Sequence, residues 1–297
     1  MKALVTRRES IRHPGLFVKK YTKRVFFDNL WHEDNALLES RGHVETADGQ
    51  IVIRPLTKIF NRFENGVDID LNETCVHVQK INGFMAAVTW VDQVNDVVVS
   101  TTGSLDSDYV LLAEKYITED IKNYIKAMRT VSPGTYVFEI CAPDDPHIIV
   151  EKAGAYLLAL RLHSEEGPYF TTWAEEIGLD IIAKMMGVSR PEWGYGKFSD
   201  VVEQTSKCQH EGFVVYGQTS KTVLKMKSPY YLFMKAAARR KDIMKLDKRR
   251  VDEEFYPVID HIKSMGDRFM LMCEQDRLQF LRDWFYYEST ETDIDNG

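Results

Sequence analysis

The sequence predicts an α+β fold: antiparallel sheets flanked by helices over residues 1–228, a small all-helical region over residues 229–287, and an acidic tail, 288–297, expected to be disordered. Three observations lead there. Short segments of alternating apolar and polar residues recur in pairs around Asn-Gly or Asp-Gly, the pattern of antiparallel hairpins. Between them lie stretches with apolar residues at helical spacing, ended by Gly or Pro. After Pro229 the alternation gives way to a basic helical pattern that lasts to about Tyr287.

From residue 44 to 99 the β signal dominates. "HVETADGQIVIRP" reads as a hairpin around Asp-Gly, "CVHVQKINGFMAAVTW" as a second around Asn82-Gly83, and "NDVVVSTTGS" as a further strand. "SDYVLLAEKYITEDIKNYIKAMRTV" carries an apolar helical stripe, with Asp106 or Ser107 as N-cap, and stops before Pro133-Gly134. "TYVFEICAP" and "HIIVEKAGAYLLALRL" return to strand character. "FTTWAEEIGLDIIAKMMG" is helical and closed by Gly187, "SRPEWGYGKFSD" is a loop leading to another helical stretch, and "EGFVVYGQTSKTVLKMKSP" makes a final hairpin.

Composition narrows the class. A chain of 297 residues, 44% hydrophobic and 28% charged, is neither a disordered polymer nor a membrane protein. The N-terminus has no apolar signal core, and no apolar run reaches the roughly 18 residues of a membrane span. A cytoplasmic protein is therefore expected. The four cysteines are scattered with no CxxC pair, which argues against a zinc site or a disulfide framework. A net charge of −7 disfavours a general nucleic-acid coat protein, but residues 19–24 and 235–250 are locally basic. Either cluster can neutralise phosphates or simply be a solvated face.

Three lysines, Lys80, Lys184 and Lys263, are each followed three residues later by glycine. Lys184 sits in the last turn of a helix that Gly187 caps, where a cation complements the helix dipole, and Lys263 is also on a helical stretch. Only Lys80 lies between strands. Downstream, "YVFEI" puts Glu139 in an apolar strand, where a carboxylate needs hydrogen-bond partners. "EGFVVYG" puts Glu211 at the entrance to another strand. "VLKMKSP" puts Lys225 and Lys227 on one strand face, where two ammonium groups repel unless an anion lies between them.

In this order and context, the set Lys80, Glu139, Glu211 and Lys225 with Lys227 resembles the covalent nucleotidyltransferase superfamily. The segments "ESRGHVETADGQIVIRPLTKIFNRFENG", "VQKINGF", "STTGSLDSDY", "TYVFEICAPDDPHIIV", "EGFVVYG" and "VLKMKSPYY" together resemble the ATP-dependent RNA ligases of the T-even bacteriophage RNA ligase 1 type. The resemblance runs from about Arg41 to Tyr231 and implies a nucleotidyltransferase domain over residues 1–228.

What it implies chemically is specific. Lys80 would attack the α-phosphate of ATP, release pyrophosphate and carry AMP as a phosphoramidate; AMP would pass to an RNA 5′-phosphate, and a 3′-hydroxyl would then displace it. A lysine with its ordinary pKa of about 10.4 is a poor nucleophile, so Lys225, Lys227 and a metal are expected to lower it. The resemblance assigns Lys225 and Lys227 to the α-phosphate, Glu139 to a ribose hydroxyl, Glu211 to a Mg²⁺ ion (Mn²⁺ as the alternative), and Arg41 and Lys58 to phosphate handling or nucleotide positioning. Tyr156 is read as a core residue with adenine stacking as the alternative. The partners it implies are RNA ends bearing 5′-phosphate and 3′-hydroxyl, with a nicked tRNA as one such RNA in a repair role, and a monomeric enzyme in the cytoplasm, a host's if phage-encoded. Thr102 stands where the family often has lysine, and His147 where it often has arginine. The helical region after Pro229 is shorter than the T-even domain associated with tRNA preference.

Rival readings are a DNA ligase, a GTP-dependent capping enzyme and a non-catalytic RNA-binding module. The first two usually append an OB-fold, which the helical C-terminal pattern does not match. The third leaves Glu139 and the Lys225/Lys227 pair without a reason.

Overall fold

The computed structural model describes residues 3–165 and 167–294, with residues 287–294 described by backbone alone. Three sheets form a mixed α+β architecture with a helical region at its C-terminal end. The N-terminal sheet joins Val5–Glu9, Leu16–Tyr21, Arg41–Thr46 and Ile51–Ile53 in sequence order, all antiparallel. The middle sheet is ordered Gly154–Leu162, Gly134–Cys141, Phe84–Val91, Asp96–Thr101, also antiparallel. The third runs Trp193–Lys197, Thr74–Gln79, Gly212–Gly217, Val223–Lys227, with the short Phe60–Asn61 strand parallel at its edge.

Strand alternation distributes the core. On Phe84–Val91, Ala86 and Val88 face the helices Asp108–Glu114, Glu119–Met128 and Trp173–Met186, packing with Val110, Ile121, Ile125 and Leu179. Met85 and Ala87 turn the other way, toward the third and N-terminal sheets respectively. The Gly134–Cys141 strand is buried along its whole length, with Tyr136, Phe138 and Ile140 on the helix side and Val137 toward the third sheet. Glu139, one pleat from Val137, is on that second side. In the third sheet, Leu224 and Met226 pack on helix Phe198–Lys207, so Val223, Lys225 and Lys227 alternate toward the middle sheet. The same period-2 rule thus sends two carboxylate- and cation-bearing strands toward one another.

Several expectations hold locally. The Asp-Gly hairpin forms, with Val44 opposite Ile53. Gly212–Gly217 and Val223–Lys227 pair as the final hairpin. Thr172 and Glu175 make a capping box at the start of Trp173–Met186, and Gly187 ends it at φ 67°.

Others are corrected. Thr74–Gln79 and Phe84–Val91 are not a hairpin: they belong to different sheets, and the chain crosses between them at residues 80–83. A two-residue type I′ turn needs positive φ at both central residues, and neither Asn82 nor Gly83 has it. Phe84–Val91 instead pairs with Asp96–Thr101, turning at Asn95 with φ 53°. The long helical stretch from Asp108 is two helices, because Thr118 caps a new one by accepting from the Ile121 amide. "WGYGK", read as loop, is a strand held by pairing with Thr74–Gln79 despite its glycines. The strand expected from His147 begins only at Gly154.

After Ser228, whose hydroxyl caps the first helix, Pro229–Arg239 packs with Tyr256–Met265 and Glu274–Ile294 around Phe233, Met234, Val258, Ile259 and Leu281. The last helix continues through residue 294, so the segment expected to be a disordered tail from 288 is helical to that point; residues 295–297 lie outside the described ones. No helix among the described residues is long and apolar enough to cross a membrane.

Candidate active site

A cavity of about 840 Å³ opens between the middle and third sheets, with the N-terminal sheet and the first C-terminal helix at its edges. Its lining includes Lys80, Glu139, Glu211, Lys225, Lys227 and Arg41.

Lys80 leaves the end of Thr74–Gln79 with its amide bound to the Gly212 carbonyl at 2.8 Å, which fixes it beside Glu211. Its Nζ donates to Glu211 Oε2 at 2.9 Å and to its neighbour's carbonyl, Ile81 O, at 3.4 Å. Glu211 is 3% exposed and has two further partners: Asn82 Nδ2 donates to Oε2 at 2.6 Å, and Lys227 Nζ forms an ion pair with Oε1 at 3.7 Å. Asn82, read from sequence as a turn residue, is buried; its Oδ1 accepts from the Ile149 amide at 3.0 Å. Gly83 is required by close approach: a Cβ there would lie 2.3 Å from the Ile140 carbonyl oxygen. Its amide donates to Glu139 Oε1 at 3.2 Å. The lysine-to-glycine spacing therefore belongs to a crossover that ties two sheets and two carboxylates together.

The charges settle unequally. Burial pulls the Lys80 pKa down, but the negative charges of Glu139 and Glu211 and the Glu211 hydrogen bond outweigh it and hold Lys80 above the ordinary lysine value. The expectation that neighbouring cations lower it is not met: the two carboxylates prevail. Lys225 behaves as Lys80 was expected to. Burial, then the charges of Lys58, Arg41, Lys227 and Lys80, lower it to about 7. No carboxylate lies within ion-pair distance of Lys225 among the described residues. Burial also lowers Lys227, whose ammonium sits 5.1 Å from the Tyr231 ring centre, although Glu211 opposes the shift. Glu139 is raised by burial, with Lys80 pulling against it.

Two expected residues differ in placement. Arg41 lines the cavity and donates to the Thr57 carbonyl at 3.2 Å. Lys58 does not line it: its ammonium pairs with Glu64 at 3.1 Å and lies 4.4 Å from the Phe60 ring centre, acting on Lys225 only through its charge. Tyr156 packs with Ile81 and Cys141 away from the lining, as a core residue. Thr102 and His147 both line the cavity, His147 Nε2 lying 2.9 Å from Asp145 Oδ2.

Sequence reading did not place Asn82, Lys20 and Arg239 at the site, though all lie in or against the cavity. Asn82 was hidden by the turn signal of Asn-Gly; Lys20 and Arg239 were visible only as members of the two basic clusters, 19–24 and 235–250, with nothing local to tell them from their neighbours. Among the described residues no group of three or more His, Cys, Asp or Glu could hold a metal by itself. A magnesium ion here would therefore draw on fewer than three such side chains, with waters and substrate phosphates completing its shell, and Glu139, Asp145 and Glu211 are the carboxylates that line the cavity.

Comparison with known structures places the fold. An archaeal ATP-dependent RNA ligase (form 1) matches with a TM-score of 0.56 at 14% identity, over 89% of this chain and 73% of that one. A second form of an archaeal ATP-dependent RNA ligase gives 0.53 at 12%, over 95% and 72%. A candidate ATP-dependent DNA ligase from Aquifex aeolicus gives 0.55 at 14%, over 88% and 68%. At such identities the likeness speaks for the fold alone, and it is shared by ligases of both nucleic acids. No curated protein matches the chain. The family model described as RNA ligase, of the T4 type 1, matches residues 38–231, a span that holds every residue of the cavity's lysine–glutamate cluster. The chain belongs to the RNA ligase family.

Proposed function

We propose that this RNA ligase joins RNA 3′-hydroxyl and 5′-phosphate ends using ATP, through an adenylate on Lys80. The observation that carries the reading is the crossover: Lys80 Nζ is 2.9 Å from Glu211 in a cavity that also holds Glu139, Lys225 and Lys227. In the first step a bond forms between Lys80 Nζ and the α-phosphorus, and the bond from that phosphorus to the pyrophosphate oxygen breaks, its electron pair leaving with pyrophosphate. Lys80 must first give up a proton. Glu211 is the nearest acceptor, and its charge also holds that proton on Lys80 until another cation takes the lysine's place. A divalent cation at Glu211 would supply charge stabilisation to phosphate oxygens and compete with the Lys80 ammonium for the same carboxylate.

Lys225 and Lys227 orient the α-phosphate and offset its developing charge. Asn82 keeps Glu211 aimed at Lys80. Glu139 is positioned to accept from a ribose hydroxyl. AMP then moves to the 5′-phosphate of RNA, and the 3′-hydroxyl of the second end expels it. Residues 1–228 carry these steps in this reading, with residues 229–287 as a helical domain; repair of nicked RNA, tRNA among it, is the role that such end-joining serves.

Purified protein with ATP and Mg²⁺ is expected to seal a 5′-phosphorylated RNA and to leave the matching DNA oligonucleotide unjoined. Equal sealing of DNA, or labelling from GTP in preference to ATP, would count against the substrate assignment.

The low pKa of Lys225 adds a pH signature. Below pH 7 Lys225 is already charged; above it, the free site holds neutral amine and must take up a proton when a polyphosphate arrives. Calorimetry at pH 8 with a non-hydrolysable ATP analogue, in buffers of different ionisation enthalpy, should show net proton uptake and affinity falling as pH rises. Lys225→Met should abolish the uptake.

A further inference from the structure

The cavity contains a second set of cations, on the N-terminal sheet and apart from the Lys225/Lys227 strand. On Leu16–Tyr21, Lys19 and Lys20 point to opposite faces. Lys19 is neutralised by Glu45 at 2.9 Å. Lys20 faces the cavity, and among the described residues its ammonium has no carboxylate within ion-pair distance.

Two features hold it there. Lys20 is the cross-strand partner of Arg41, which also lines the cavity. Its side chain lies across Gly103: a Cβ on that residue would come within 2.4 Å of Lys20 Cδ and 2.8 Å of Nζ. The absence of a side chain at Gly103 makes the passage, and Thr102 beside it adds no charge. Like charges directly opposite on adjacent strands repel. Here they do so at the mouth of a cavity whose other cations already flank the nucleophile, which is the arrangement a long polyanion would relieve.

We propose that Lys20, with Arg41, binds the outer phosphates of ATP and steadies the pyrophosphate as it leaves, while Lys225 and Lys227 hold the α-phosphate. The assignment rests on the nucleotide-transfer reading above and adds a residue to it. It makes Lys20 important when a triphosphate enters or pyrophosphate departs, and irrelevant once AMP is already on RNA.

The test follows formation of the protein–AMP adduct against ATP concentration, its discharge by added pyrophosphate, and sealing of pre-adenylated RNA, a step with no γ-phosphate and no pyrophosphate to release. Lys20→Ala should raise the ATP concentration for half-maximal adenylation by about tenfold or more, the size of a lost charge-assisted contact, and weaken pyrophosphate discharge similarly. Lys20→Arg should restore most of both. Gly103→Ala should shift the same two measurements, because its methyl displaces the flexible end of Lys20 rather than backbone. In every variant the sealing of pre-adenylated RNA should match the unaltered protein.

Unchanged ATP and pyrophosphate dependence in Lys20→Ala would overturn the proposal. So would a defect confined to transfer of AMP onto the RNA 5′-phosphate, which would assign the cation to RNA instead. If the unaltered protein forms no adduct at all, the nucleotide-transfer reading itself fails, a different result from either.

Discussion

Lys80→Ala is expected to form no protein–AMP adduct and to lose ATP-dependent sealing by a factor on the order of 10⁴ or more, because the attacking atom is gone. Lys80→Arg should be equally inactive, and it is the more informative variant. A guanidinium stays protonated and can still pair with Glu211, so the local charge balance survives while nucleophilicity does not. Both variants should still join RNA that is supplied already adenylated, since that substrate bypasses the lysine. Loss of this late step together with the first would point to a collapsed site rather than a missing nucleophile. Parallel thermal unfolding separates the two.

Glu211→Gln carries the second large effect, and here two physical influences oppose each other. Glu211 raises the Lys80 pKa through its charge and its hydrogen bond. Removing that charge should make Lys80 a better nucleophile toward any small amine-directed reagent. If Glu211 were only a counter-ion, the variant would also adenylate faster. We expect the opposite: adenylation should fall about 10²–10³-fold, the usual scale for losing one preorganised electrostatic group, because in the proposed mechanism this carboxylate would hold the metal over the phosphates. Stability should fall by only about 1–3 kcal/mol, since the glutamine still accepts from Asn82 and Lys80 retains access to water at 26% side-chain exposure. Faster general labelling of Lys80 combined with slower adenylation is the signature; faster adenylation would refute the role given to Glu211.

Much of this site was legible from one sequence, and what was not has a physical reason. Alternation correctly sent Lys225 and Lys227 to one face, and the need of Glu139 for a partner within an apolar strand was legible too, while its turning away from Phe138 and Ile140 into the cavity is seen in the structure. What alternation cannot supply is the partner of a strand. Asn82-Gly83 carries the local chemistry of a hairpin, yet the flanking strands join separate sheets, because Gly83 is needed against the Ile140 carbonyl and Asn82 against Glu211. The short pattern around Lys80 pointed to a residue that lines the cavity, through a wrong local structure. The pKa ordering was also out of reach. Which lysine has a carboxylate at 2.9 Å and which has only cations around it depends on residues far apart in the chain, 131 positions for Lys80 and Glu211 and more for Lys225 with Lys58 and Arg41. Lys20 and Arg239 belong with these: one cation of a basic cluster acquires a role only when the fold shows which cavity it enters.

That ordering also supplies the sharpest test. Among the residues of the site Lys225, at about 7, is the more readily deprotonated amine, while Lys80 is held above its ordinary value. Reactivity alone would therefore select Lys225; geometry and the Glu211 partner select Lys80. Incubating the unaltered protein with Mg²⁺ and ATP labelled at the α-phosphate, then mapping the modified lysine by peptide mass spectrometry, decides between them. The account predicts AMP on Lys80. AMP on Lys225, or no covalent adduct with any nucleotide and divalent metal, would contradict it.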